Sequence, residues 1–197
     1  MLKKSKKSLG TANPTPVPVW VIATYDESNK PDAMTAAWAG IANSEPPTIC
    51  VGLRPSRYTY ENIKKKQCFS INIPSTALVN QTDYFGIESG RNVDKIKKAG
   101  LTANKCKNIS APYIEEFPMH IECKLVERVN LGSHFVVFGK IIETFVDEDK
   151  FDGDVPSIKK IDPIVYDTLT KTYIGCGSEV GKGFKSGVSV KKETEQK

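Results

Sequence analysis

Long apolar runs are missing from this chain: none approaches the roughly 20 consecutive apolar residues that a bilayer-spanning helix needs, so no membrane segment is expected. Histidine is scarce, and the two present, His120 and His134, stand too far apart to seed a metal cluster. The five cysteines, Cys50, Cys68, Cys106, Cys123 and Cys176, are odd in number, widely spaced and without a Cys-x-x-Cys pair. That pattern argues against a zinc ribbon and reads as reduced thiols. A Walker loop is absent, and Gly175-Cys176-Gly177-Ser178-Glu179-Val180-Gly181 misses the Gly-x-Gly-x-x-Gly spacing by one residue, with no βαβ unit after it. The acidic run at 147–154 has Phe151 at the fifth position of a would-be calcium loop and its glycine one residue late, so it reads as an acidic turn. Nor is there a paired carboxylate or a nucleophile–base set.

Positive charge is also thin once it is located. The net charge is +5, but Lys3, Lys4, Lys6 and Lys7 supply four of these charges, leaving +1 for residues 8–197. A basic groove for nucleic acid is therefore not indicated. A nucleic-acid-binding β-barrel, using the lysine arm with Trp20, Trp38, Tyr58 and Tyr60 as stacking platforms, stands as a rival reading.

What is present suits one domain of 197 residues. Residues 1–15 read as a mobile basic and Pro-rich arm, residues 16–187 as the domain and residues 188–197 as a charged tail. The lysine-rich start runs into Gly10-Thr11-Ala12-Asn13-Pro14 instead of an apolar signal core, and the expectation is a cytoplasmic protein. The β-branched run at 19–24, turn chemistry at 26–32 and a small-residue extended stretch at 32–47 predict a first hairpin. A strand over 48–53 leads to a short helix begun by a Ser or Thr cap near residue 56 and closed by lysines. Residues 68–73 alternate, with Phe69, Ile71 and Ile73 on one face. Ser75 is expected to cap a helix through 85, residues 86–95 to form a donor-rich loop, 121–129 and 135–146 a long hairpin, and 166–174 one further strand. Many short strands with few short helices and no βαβ alternation predict a mainly β, antiparallel barrel.

Two stretches could carry chemistry. Small residues at 32–47 either pack a neighbouring strand or let a flat ligand approach the backbone. Ser56, Arg57, Tyr58 and Thr59 either cap a helix or converge hydroxyls, a guanidinium and free N–H groups on a phosphate, with Ser89-Gly90-Arg91 and Lys95 as a second cradle. His134 reads as a surface or interface residue or as a functional one.

Met34-Thr35-Ala36-Ala37-Trp38, Asn43-Ser44 with Pro46-Pro47, Arg54-Pro55-Ser56-Arg57-Tyr58-Thr59, Ser70-Ile71-Asn72, Ser89-Gly90-Arg91 with Asp94-Lys95, and Gly132-Ser133-His134 together resemble the flavin reductase-like, FMN-binding split-barrel family, in its flavoredoxin branch. The resemblance implies an antiparallel FMN-binding split β-barrel, with non-covalent FMN near the interface of a homodimer. It implies that hydride or electrons pass through FMN between a small-molecule or protein donor and an acceptor, with NADH or NADPH as candidate donors. A flavin-binding protein without turnover is the alternative. Thr35, Ala36, Ala37, Trp38, Asn43 and Ser44 are implied beside the ring, and Asn72 beside the ribityl chain or ring. Ser56, Arg57, Tyr58 and Thr59 are implied on the phosphate, with Ser89, Gly90, Arg91 and Lys95 closing that end. Many family members read Gly-Asp-His where this chain has Gly132-Ser133-His134, so His134 lacks the acid that would orient it toward a nicotinamide.

Overall fold

The computed structural model describes residues 5–188 and 190. Pro14, Pro16 and Pro18 withhold ladder N–H groups, and the chain settles into strands only from β1 (Val17–Pro18) and β2 (Trp20–Tyr25) onward. β2 pairs antiparallel with β3 (Pro31–Ala36). The turn between them is built by Asp26, whose Oδ1 accepts the N–H groups of Ser28 (2.9 Å) and Lys30 (2.8 Å), with Asn29 at φ 61°.

After β3 only Ala37 and Trp38 intervene before β4 (Ala39–Ser44), so the small-residue stretch is two strands and not one. The chain continues through β5 (Pro47–Leu53), α1 (Tyr58–Lys66), β6 (Cys68–Ile73), a 3-10 turn (Thr76–Leu78), α2 (Val79–Ile87) and α3 (Lys95–Lys98). Next come β7 (Ala103–Lys105), β8 (Pro112–Ile114), β9 (Met119–Asn130) and β10 (Phe135–Val146). The acidic turn becomes a small hairpin of β11 (Phe151–Asp152) and β12 (Val155–Pro156), followed by α4 (Ile158–Ile161), β13 (Ile164–Asp167) and β14 (Thr172–Gly175).

The main sheet has seven strands in the order β3-β2-β6-β9-β10-β5-β4, every pair antiparallel. Closure follows from chain length. β3 and β4 are the two edges of this sheet, yet three peptide links join Ala36 to Ala39, a reach of at most about 11 Å. The sheet must curl until its edges nearly meet, and Ala37-Trp38 bridge the seam. Inside the curl lies the main core, with Ile22, Val51, Leu53, Tyr60, Phe69 and Ile71 among its members. The outer face of β2 is buried too: Val21 and Ala23 pack with Phe85, Ile96, Ile114 and Phe117 under α2, α3 and β8.

Three local expectations need correction. The residue preceding α1 is Arg57, and it makes no side-chain cap, because Ser56 lies one position too early. Ser75 likewise makes no capping bond, and its helix begins with the 3-10 turn and runs two residues past 85, to Ile87. The strand expected at 166–174 is the β13–β14 hairpin. Asp167 makes that turn: its carboxylate accepts the N–H of Leu169 (2.9 Å) and the hydroxyls of Thr170 (2.6 Å) and Thr15 (2.8 Å). These bonds, led by that of Thr170, pull its pKa down to about 2. Among the described residues no helix is long and apolar enough to cross a membrane. Most of the 188–197 tail lies outside the described residues.

Candidate functional site

At the seam the chain passes from β3 to β4 through Ala37 and Trp38, and the β4–β5 pairing continues one residue beyond Ala39. The N–H of Gly52 on β5 donates to the Trp38 carbonyl at 2.6 Å, and a Cβ on Gly52 would stand 3.1 Å from Trp38 Cβ. The Thr35 hydroxyl bonds the Thr82 carbonyl and ties β3 to α2. Between these elements opens a cavity of about 370 Å³, walled by Thr35, Ala36, Ala37, Trp38 and Gly52, with His134 on one side and Tyr166 and Tyr173 on another. Trp38 is 43% exposed, so it is a wall of this cavity and not a core residue. Tyr173 is fixed by a hydrogen bond from its hydroxyl to Asp83 (2.9 Å), and its ring lies 5.3 Å from that of Tyr166. Burial, then the nearby Arg54 charge, lowers the His134 pKa and favours the neutral imidazole; the Ser133 hydroxyl is 2.9 Å from its Nδ1.

A second chamber of about 270 Å³ adjoins the first and shares Met34, Arg54 and Arg57 with it, so the two are one cleft. Its walls are polar: Ser56, Arg57, Tyr58, Thr59, Ser89 and Lys95, with Glu88 also present. The first turn of α1 opens here without a side-chain cap; the Tyr60 N–H donates to the Arg57 carbonyl at 3.1 Å, and the N–H groups of Tyr58 and Thr59 precede the first intrahelical bond. Such a terminus favours an anion. Lys95 is 4% exposed and Asp32, on β3, 3%; Lys95 Nζ lies 3.6 Å from Asp32 Oδ1 and donates to the Phe85 carbonyl at 3.4 Å. Asp32 Oδ2 accepts the Thr59 hydroxyl at 2.5 Å. Burial raises the pKa of Asp32 against Lys95 and Thr59, and lowers that of Lys95 against Asp32.

The expected site residues divide into groups. Thr35, Ala36, Ala37, Trp38 and His134 meet at the seam, and Ser56, Arg57, Tyr58, Thr59, Ser89 and Lys95 meet in the polar chamber. Gly90 and Arg91 form its rim: the Arg91 guanidinium donates to the Ser56 carbonyl (2.9 Å) and sits 5.1 Å over the Tyr58 ring. Asn72 is not brought to the cleft. It is fully buried, its Nδ2 donates to the Val21 carbonyl (3.1 Å) and Ser70 Oγ (2.9 Å), and its Oδ1 accepts the Ile114 N–H (2.8 Å), so it fastens β2 and β6 to β8. Asn43 and Ser44 lie exposed at the far end of β4, away from the cleft of a single chain, where Asn43 bonds the Pro46 carbonyl (3.1 Å). Sequence reasoning gave no site role to Asp32, which backs Lys95, to Arg54, quoted only as part of a motif, or to Asp83, Tyr166 and Tyr173, which reach the cleft through tertiary folding. Among the described residues no cysteine lines either chamber; Cys50 lines a separate trough that Trp38 and His134 share. Burial pushes Cys106 and Cys123 up to about 12, which keeps them protonated.

A slot with small-residue walls at one end and an uncapped helix start with Arg57 and Lys95 at the other suits a flat ring carrying a phosphate. That defines the class: a split barrel with a mononucleotide-shaped cleft at its seam. Residues 12–170 match the family model described as the flavin reductase like domain, and the chain belongs to that family. It is similar to the flavoredoxin of Desulfovibrio vulgaris (Miyazaki F), 41% identical with a TM-score of 0.90 over 93% of this chain and 100% of that one. It is similar also to the flavoredoxin from Methanosarcina acetivorans, 29% identical with a TM-score of 0.87 over 95% of this chain and 100% of that one. An uncharacterized protein of Aeropyrum pernix is 31% identical over 147 residues, 74% of this chain, but this chain spans only 56% of that relative's length. The mainly β split-barrel expectation and the flavoredoxin likeness are thus borne out.

Proposed function

We propose that this chain binds FMN non-covalently in the seam cleft and works as an FMN-dependent oxidoreductase or electron carrier, in the manner of the flavoredoxins it resembles. The observation that carries the reading is the continuity of the small-walled cavity with the cationic chamber through Met34, Arg54 and Arg57. FMN, when bound, supplies reversible electron transfer in one- and two-electron steps. Ala36, Ala37 and Gly52 would offer backbone at close range to its ring, with Trp38 and His134 lining the same cavity. Arg57, Lys95, Ser56, Ser89 and the N–H groups of Tyr58 and Thr59 would hold the phosphate. Thr59 contributes its main-chain N–H alone, because its hydroxyl proton is committed to Asp32. Neutral His134, oriented by Ser133 and not by an acid, accepts or donates one hydrogen bond at the cleft mouth. The reading extends to a cytoplasmic homodimer whose working unit is residues 16–187, with 1–15 as a basic arm and 188–197 as a charged tail; the exposed Trp38, Ile41 and Leu131 around the seam support the dimer.

Purified protein is expected to be yellow, or to become so on mixing with FMN, with the flavin's visible bands and quenched flavin fluorescence. Colourless protein that cannot be reconstituted overturns the reading. Anaerobic titration of the loaded protein with NADH and NADPH then identifies the donor. Bleaching within the mixing time points to a nicotinamide-fed reductase, and resistance to both points to reduction by a protein partner.

A further inference from the structure

We infer that Asp32 is a positioning residue of the anion chamber, acting through Lys95 to set that ammonium in place for the phosphate of FMN. This rests on the FMN reading above. Asp32 lies on β3 two residues before Met34, on the same strand face, and stands directly behind Thr59 and Lys95, which line the chamber. Its Oδ2 takes the Thr59 hydroxyl proton, while its Oδ1 has no hydrogen-bond partner among the described residues and faces Lys95 Nζ at 3.6 Å. Gly90 closes over that oxygen: a Cβ there would stand 2.0 Å from Oδ1 and 2.8 Å from Cγ, so no side chain separates the rim from the carboxylate. Lys95 has three N–H donors. One is directed at Phe85 and one toward Asp32, which leaves the third for the chamber that Lys95 lines.

The electrostatics couple Asp32 to Lys95 as well. The charged groups facing Lys95 are Asp32 from β3, Arg57 before α1 and Glu88 after α2. Burial disfavours the ammonium and Arg57 adds to that; Asp32 is the largest opposing influence, ahead of Glu88. Without Asp32, burial and the Arg57 guanidinium disfavour the Lys95 ammonium with less to oppose them, and the donor aimed at the chamber is no longer held in place. Riboflavin has no phosphate, so a defect that acts through Lys95 falls on FMN and spares riboflavin.

The test compares FMN and riboflavin affinities by fluorescence quenching for the parent, Asp32→Asn, Lys95→Met and the double variant, from about pH 6 to about pH 9.5. Asp32→Asn is expected to weaken FMN binding on the order of tenfold near neutral pH, to leave riboflavin within about twofold, and to move the fall of FMN affinity with rising pH to lower pH. The double variant, which leaves neither charge buried, should show the same FMN defect as Lys95→Met alone, and it decides the matter if Asp32→Asn does not fold. An additional loss in the double variant, or equal losses for both flavins, overturns the role of Asp32. So does FMN binding by Asp32→Asn as tight as the parent's. A parent protein that binds neither flavin overturns the FMN reading, and this assignment with it.

Discussion

Arg57→Gln is expected to weaken FMN binding by roughly a hundredfold, equivalent to about 2.7 kcal/mol, while riboflavin binding stays within about threefold of the parent. Arg57 lines both halves of the cleft, stands immediately before the uncapped first turn of α1, and makes no ion pair with a carboxylate among the described residues. Its single side-chain hydrogen bond is a long one, 3.4 Å to the Gly86 carbonyl, and the residue is exposed. Removing the charge therefore costs the fold within about 0.5 kcal/mol, and the thermal midpoint should hardly move. Glutamine keeps length and hydrogen bonding but not the fixed fork of a guanidinium, so the loss reports charge-assisted phosphate recognition. Parallel titration of the two flavins checks it. Equal weakening of both would place Arg57 in shaping the slot instead of holding the anion.

How much of this was legible in the sequence depends on whether the signal was local. Residues 68–73 announced β6 because Phe69, Ile71 and Ile73 alternate against Cys68, Ser70 and Asn72, and the core takes one set while β8 and its neighbours take the other. Asn72 was set beside the ribityl chain or ring only by the family resemblance, and in this chain its side chain is a buried clasp between backbones. The β13–β14 turn was invisible because Thr168-Leu169-Thr170-Lys171 contains no Gly, Pro or Asn; its geometry comes from the Asp167 carboxylate and from Lys171 at φ 58°. The break at Ala37-Trp38 could not be read locally either, since alanine and tryptophan fit a strand. Only the sheet order shows that those two residues carry the chain from one edge to the other. The phosphate end was clearer than the ring end for a related reason. Ser56 to Thr59 are contiguous, whereas the ring end gathers β3, β5, α2, the residue before β10 and the β13–β14 hairpin.

Phe69→Ala should lower unfolding stability by about 3–5 kcal/mol, a large share of the roughly 5–15 kcal/mol typical of a domain this size. Phe69 is fully buried at the centre of the barrel core, and its ring reaches from β6 across β9 to β10. It fits because residue 139 is glycine: a Cβ there would stand 2.6 Å from Phe69 Cζ, 3.1 Å from Cε1 and 3.2 Å from Cys123 Cβ. The β9–β10 register shifts between Phe138 and Gly139, so the bulge and the missing side chain accommodate the ring together. Gly139→Val should therefore cost about 1–3 kcal/mol by overpacking. The two changes compete for one volume, and the double variant should be more stable than the sum of the single losses by at least about 1 kcal/mol. Urea unfolding of all four proteins measures this, with the midpoint moving and the slope unchanged. Strict additivity would mean that the ring and residue 139 do not share that space. Asp32, Arg57 and the seam lie outside this contact, so flavin selectivity in the folded variants should match the parent's even where stability falls.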